Sequence, residues 1–165
     1  MITRISKLLL LIAISAFYSL VVFNNVTDFD SNYQLVRHVL MMDTTFAHNH
    51  GMWRAISNPI VHRIFYILII GWEVVTMVIL WAGSYQLTRR LHGSPEQFET
   101  AKRVPLIGLA LSMLMWLVAF LTIGAEWFLM WQSPIWNGQE AASRMFTVVG
   151  IILLFLMQPE RSTQP

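Results

Sequence analysis

One acidic residue lies in the middle of an apolar run, Glu73 in the stretch IIGWEVVTM. An ionised carboxylate is costly inside a bilayer, so such a group is paired, protonated or facing water, and it often marks an ion or proton pathway. It can also hydrogen-bond across a helix pair, and Ser112 and Ser15 are candidate partners. Three interpretations of Glu73 therefore stay open: an interhelical hydrogen bond, a proton or ion relay, or a contact with a partner subunit.

Five histidines could ligate a transition metal, and four of them fall in or near the first long polar segment. His48 and His50 form a His-x-His pair, which occurs often by chance in loops, and no HExxH-type helix accompanies it. We assign no metal site and keep these two histidines as candidates only. No cofactor is expected, because the chain has no cysteine, no Gly-rich phosphate loop and no GxSxG motif. No catalytic motif supports an enzyme.

Carboxylates and arginines recur where apolar runs end. Asp28, Asp30 and Asp43 could pair with Arg37 or Arg54, or bind a hard cation, although their spacing fits no calcium loop. We expect ion pairs here and no metal.

A second candidate ion pair joins the third and fourth apolar runs. Glu126 and Arg144 lie near the ends of these runs, at similar depth if the two are neighbouring helices. We expect them to pair.

The composition requires a bilayer around these residues. Hydrophobic residues make up 56% of the 165 and charged residues only 12%, with a mean hydropathy of +0.56. Four segments approach the length of about 20 residues that crosses the hydrocarbon core: 7–23, 60–87, 104–131 and 143–157. We therefore predict an all-α fold, a single domain over residues 1–165 that forms a four-helix transmembrane bundle. An uncleaved first span is favoured over a signal peptide, since no small-x-small cleavage site precedes Asn24.

The distribution of basic residues predicts orientation, because short cytoplasmic loops are enriched in lysine and arginine. Seven basic residues fall on one side, and four lie more sparsely on the other. The seven are Arg4, Lys7, Arg89, Arg90, Lys102, Arg103 and Arg161. We expect a multi-pass inner-membrane protein with both termini cytoplasmic. The net charge of +2 follows from this asymmetry and gives no reason to expect nucleic-acid binding.

The segment 24–59 between the first two spans should form a partly helical extracytoplasmic cap. Asp30 or Ser31 can cap a helix whose apolar residues recur at helical spacing, and we expect that helix to lie on the membrane surface. A second short helix is expected over 52–57, and Asn58 with Pro59 suits the start of span two. Between spans two and three, Ser94 and Gln97 predict a capping box.

The polar segments also resemble a known family, the bacterial predicted small integral membrane proteins called domain of unknown function 2165. The resemblance is carried by three groups of residues: Asn25, Thr27, Asp28, Ser31, Asn32, His38, Val39, Leu40, Met42, Asp43, Thr44, Thr45 and Phe46; Met52, Trp53, Arg54 and Ala55; and Glu126, Trp127, Phe128, Met130, Trp131, Gln132, Ser133, Trp136, Asn137, Gly138 and Gln139. It implies a four-span inner-membrane protein and no particular activity.

Three functions fit these patterns. The first is an accessory or structural subunit of a larger membrane complex, or of a homo-oligomer, embedded in the lipid bilayer. The second is a small transporter or channel with Glu73 on its pathway. The third is an extracytoplasmic metal-binding or sensor protein that uses the histidine-rich loop.

Overall fold

The computed structural model describes residues 1–160, so Arg161 of the predicted basic side lies outside the described residues. These residues form helices α1 to α6: Ile2–Thr27, Phe29–Met41, Pro59–Arg89, Pro95–Ala101, Arg103–Leu114 and Gln139–Met157. A π-helix, Met115–Trp127, continues α5, and two 3-10 turns lie at Met52–Arg54 and Met130–Gln132. Four helical stretches are long and apolar enough to cross a membrane. The predicted all-α, four-span fold is confirmed.

Helix α1 is longer than the predicted first span and includes Asn24 to Thr27, which we had expected in the cap. Its hydrogen bonding continues to the bond from Asp28 N to the Asn24 carbonyl, 2.8 Å long. The helix breaks at Asp28, where φ is −127° and ψ is 64°, and α2 starts at the next residue. Asp28 therefore occupies the N-cap position expected of Asp30 or Ser31, without a side-chain cap bond.

The signals for the starts of α3 and α4 are confirmed. Asn58 Oδ1 accepts a hydrogen bond from Ile60 N at 2.9 Å, and Pro59 is the first helical residue. Ser94 and Gln97 form both bonds of a capping box. In the cap, by contrast, the predicted helix over 52–57 shortens to a single 3-10 turn.

The third span changes from α to π winding halfway along. Thr122 Oγ1 bonds the Leu117 carbonyl, five residues back, as the wider π turn allows. Long π-helices are rare. Most π winding in proteins is a single-turn bulge within an α-helix, frequently at a functional site. Here it spans 13 residues and widens the wall that this span presents to α2 and α3.

The N-terminus and Glu160, the last described residue, lie at one end of the bundle, which we call the terminal end. The opposite end, which carries residues 28–58, is the cap end. The half of the bundle nearer the terminal end is tightly packed. Gly83 of α3 lies so close to α5 that an added Cβ would be 2.6 Å from Pro105 Cβ. Tyr18 OH contacts Ser112 Oγ at 2.6 Å and accepts a hydrogen bond from Trp116 Nε1 at 3.1 Å, which links α1 to the third span.

Five charged residues close the terminal end, and we call them the terminal cluster: Arg4, Lys7, Glu99, Lys102 and Glu160. Glu160 accepts hydrogen bonds from Lys7 Nζ and Arg4 Nε, each 2.9 Å long. Lys102 Nζ donates to Glu99 Oε1 at 2.7 Å. Burial alone would raise the pKa of Glu160, but the bonds from Lys7 and Arg4 outweigh it and hold this pKa below its usual range. The cluster ties the N-terminus and the C-terminal segment to the α4 region.

Candidate functional site

Glu73 lies near the middle of α3 and is 3% exposed. At about 1.5 Å rise per residue it is about 21 Å from Pro59 and about 24 Å from Arg89, deep in the span. Its Oε2 accepts a hydrogen bond from Asn25 Nδ2 at 2.6 Å. Asn25 is 3% exposed and lies two residues before the end of α1. An interhelical bond from a side-chain amide therefore satisfies one oxygen of the buried acid.

Two more polar side chains converge on Asn25. Asn32 Nδ2 donates to Asn25 Oδ1 at 2.6 Å, and Tyr66 OH donates to the same oxygen at 3.2 Å. Asn25 and Asn32 are seven residues apart, two helical turns, and they remain neighbours across the break at Asp28. Asn25 Nδ2 is the donor of this group that reaches Glu73, and Asn32 and Tyr66 hold the Asn25 amide that supplies it.

The second oxygen of Glu73, Oε1, forms no hydrogen bond with any described side chain or backbone group. Glu73 lines a cavity of about 260 Å³, together with Asn25, Asn32 and the rings of Tyr66, Trp116 and Phe120. In the described part of the chain, no lysine, arginine or histidine lies on this cavity wall. The carboxyl group of Glu73 therefore lines a cavity deep in the span that has aromatic walls and, among the described residues, no basic side chain.

A larger apolar cavity of about 420 Å³ adjoins the polar one. The two share wall residues from three elements: Leu35 and Val36 of α2, Ile69 of α3 and Phe120 of the π-helix. Its other walls are apolar side chains of these elements and of the turn that follows the π-helix. Its volume falls within the usual range of small-molecule sites, about 300–1,000 Å³.

Toward the terminal end, side chains close the space below Glu73. Leu11, Tyr18, Leu80, Leu109 and Met115 are each 0% exposed and belong to one core cluster. Packing of this density leaves no room for a solvent column. In this conformation the two cavities occupy only the half of the bundle nearer the cap end.

The partners suggested for Glu73 from the sequence were wrong. Ser112 bonds Tyr18, and Ser15 lies 3.2 Å from Ser84 Oγ while donating to the carbonyl of Leu11. Helical periodicity alone could not identify Asn25, because the apolar run of the first span ends at Phe23 whereas the helix continues to Thr27.

The predicted ion pair of Glu126 with Arg144 is also wrong within the described residues, where no ion pair or hydrogen bond joins them and both side chains are exposed. Glu126 lies near the end of the π-helix. The wider π turn points side chains in directions that α-helical spacing does not predict.

Among residues 1–160, no ion pair joins an arginine to Asp28, Asp30 or Asp43, so the expected pairing is wrong. Asp43 Oδ2 contacts His38 Nδ1 at 2.7 Å, and the His38 ring stacks on Trp136 with centroids 4.7 Å apart. Asp28 accepts a bond from Ser31 at 2.7 Å.

The cap arginines bond neutral groups. Arg37 contacts Gln34, and Arg54 donates to the Trp127 carbonyl at 2.9 Å. The Arg54 guanidinium also lies 5.4 Å and 5.3 Å from the ring centroids of Trp53 and Trp127. A backbone oxygen and two aromatic faces thus take the place of the expected carboxylate.

Thr44 connects the cap to the segment that follows the third span, whereas the neighbouring Thr45 bonds within the cap. Thr44 Oγ1 contacts Ser133 Oγ at 2.7 Å, and Thr45 Oγ1 donates to the Met42 carbonyl at 2.8 Å. A turn lies over residues 42–44, and Thr44 holds it against Ser133, 89 positions away.

Among residues 1–160, no group of three or more His, Asp or Glu side chains is arranged to hold a metal ion. His48 adopts a left-handed backbone conformation with φ of 61°. His62 is buried, and its Nε2 contacts the Ile56 carbonyl at 2.7 Å, so it caps the loop before α3. The described geometry gives His48 and His50 no metal-ligand partners.

The sequence singled out Glu73, Asn25 and Asn32, but not as one site. Tyr66, Trp116 and Phe120 were missed altogether. Tyr66 precedes Glu73 by seven residues, two turns of the same helix, and that spacing was the available signal. The winding of the π-helix, which carries the other two rings, has no comparable signature.

The chain belongs to the family of predicted small integral membrane proteins, DUF2165, whose family model matches residues 3–159. Neither a curated protein nor a solved structure matches it. The family resemblance found in the polar segments is therefore confirmed over almost the whole chain.

Proposed function

We propose that this small integral membrane protein is a membrane-embedded binding protein that takes up an amphiphilic ligand from the lipid bilayer. The observation that carries the proposal is the junction of two cavities, one headed by Glu73 and one walled by apolar side chains. A ligand with a polar head and an apolar tail matches that junction, since most small-molecule sites are apolar with a few convergent polar groups.

Binding is favoured over a continuous pore. The fully buried core below Glu73, which includes Tyr18 and Leu80, separates the cavities from the terminal end. A transporter that uses Glu73 would require a second conformation in which this core opens. A binding protein requires only the arrangement described.

The test is to identify the amphiphile that stays with the protein when it is purified. The protein is extracted in mild detergent, exchanged into fresh detergent and analysed by native mass spectrometry for bound small molecules. Val36→Trp would fill the shared wall of the two cavities, whereas the control Val75→Trp places the same side chain on a position of α3 that is 51% exposed. We expect bound amphiphile in the wild type and the control and its loss in Val36→Trp. Absence from the wild type, or equal amounts in all three proteins, would overturn the proposal.

Docking on a larger membrane complex is a second candidate function, and an exposed aromatic group at the cap end favours it. Trp53 is 74% and Trp127 is 49% exposed, with Arg54 held against both rings. Trp and Arg are enriched among the residues that dominate protein–protein interfaces. Co-purification at several salt concentrations should give one stoichiometric partner that Trp53→Ser releases. The control Trp131→Ser alters another exposed tryptophan, and a partner-free preparation would remove this candidate.

For location, we propose the bacterial inner membrane, with the terminal end in the cytoplasm and residues 28–58 outside. The support is the concentration of basic residues at the terminal end. Because the chain has no cysteine, single cysteines at His92 and Asn49 can be labelled in intact cells with a membrane-impermeant maleimide. Labelling at residue 49 and protection at residue 92 are expected, and the reverse pattern would invert the topology.

A further inference from the structure

We propose that the ligand of the Glu73 cavity is a lipophilic amine, a cationic head on an apolar tail, an inference that rests on the binding function above. The head would lie against Glu73 Oε1, which accepts no hydrogen bond from residues 1–160, while Oε2 is bonded to Asn25. The tail would occupy the apolar cavity that shares Leu35 and Val36 with the polar one.

The sign of the charge follows from what lines the cavity. Among the described residues that line it, Glu73 is the one carboxylic acid, and there is no lysine, arginine or histidine. A buried carboxylate whose negative charge has no cation beside it is energetically unfavourable. A positively charged ligand would supply the missing partner. An anionic head would meet the carboxylate and find no basic side chain to balance it.

The aromatic walls favour the same ligand. Tyr66, Trp116 and Phe120 line the cavity with Glu73, and aromatic faces attract cations, more strongly where water is excluded. An acid beside several aromatic rings is the chemistry by which proteins hold substituted ammonium groups. The amide of Asn25 orients the carboxylate, because its own oxygen is fixed by Asn32 and Tyr66.

The test compares three amphiphiles with the same tail: dodecylammonium, 1-dodecanol and dodecanoate. Each is radiolabelled and measured by equilibrium dialysis against the protein in phosphatidylcholine nanodiscs, with empty nanodiscs subtracted. We expect the cation to bind at least about tenfold more tightly than the other two, the ratio that a charge-assisted hydrogen bond of about 1.5–3 kcal/mol supports.

Variants separate the head-group contact from a general loss of the fold. Glu73→Gln should weaken binding of the cation at least about tenfold and leave dodecanol unchanged, whereas Glu126→Gln, at an exposed acid near the end of the third span, should change neither. Phe120→Leu keeps an apolar wall without an aromatic face and should weaken the cation alone, by about two- to thirtyfold.

The outcomes distinguish the two proposals. If dodecanol or dodecanoate binds as tightly as the cation, the cavity binds amphiphiles but the amine assignment is overturned. If none of the three binds above the empty nanodiscs, both proposals fail. If cation binding is equal in wild type, Glu73→Gln and Phe120→Leu, the cation lies elsewhere and the amine assignment is again overturned.

Discussion

The terminal cluster should contribute strongly to stability, and Glu160→Gln tests this with little change of shape. The Glu160 side chain is 11% exposed, and its two oxygens bond Lys7 Nζ and Arg4 Nε, each at 2.9 Å. The Lys7 side chain is 1% exposed. Glutamine keeps the size of the side chain and one acceptor oxygen but removes its charge, so the buried ammonium of Lys7 loses its anion and keeps its 2.7 Å bond to the Gln158 carbonyl.

The magnitude follows from this partial loss. Breaking a buried ion pair costs about 3–5 kcal/mol. Because Lys7 keeps its carbonyl partner and Glu160 is not fully buried, we expect about 2–3 kcal/mol, at or below the low end of that range. At about 2–4 °C per kcal/mol for a chain of this size, the Tm in detergent should fall by roughly 4–12 °C. Glu140→Gln, which changes an exposed acid at the start of α6, is the matched control and should leave the Tm unchanged.

The pH dependence gives an independent check. Because the folded pKa of Glu160 is lowered, its stabilisation is fully present above the unfolded glutamate pKa of about 4.3 and is lost as pH falls through the folded pKa. The Tm gap between the wild type and Glu160→Gln, followed by scanning fluorimetry, should stay constant from neutral pH down to about 5 and close below about 4. A gap that is absent at neutral pH, or that persists undiminished in acid, would refute this account of the cluster.

Three further predictions concern helix packing and capping, and each is measured by thermal unfolding in detergent. Gly83→Ala should cost about 1–3 kcal/mol because its Cβ would overlap Pro105, whereas Gly71→Ala, with nothing within 4 Å, should be neutral or stabilising; equal effects would contradict the close approach. Ser94→Ala should cost about 1 kcal/mol by removing the capping box, and Ser94→Thr should restore most of it. Tyr18→Phe should cost about 1 kcal/mol through two lost interhelical bonds, and an unchanged Tm would show that they contribute nothing net.

The fold was predictable because its signals are local. Runs of about 20 apolar residues and the caps at Asn58 and Ser94 depend only on neighbouring positions. The site was only partly predictable. An acid within an apolar run, such as Glu73, can be recognised from the sequence. Its partner Asn25 is 48 positions away, and their pairing depends on how far α1 continues before it breaks. Nothing in the local sequence gives that length.

Two departures from regular α-helix lie between the packed terminal half of the bundle and the half that contains the two cavities. The break at Asp28 lets the chain continue as α2 instead of a straight α1, so Leu35 and Val36 face the third span from a new direction. The π-helix widens the opposite wall and begins at Met115, which belongs to the packed core of the terminal half. A regular α-helix in either place would present a narrower surface, and small gaps between helices normally close by side-chain packing. The cavity around Glu73 therefore results from backbone geometry, which single side-chain replacements in the terminal half should leave intact.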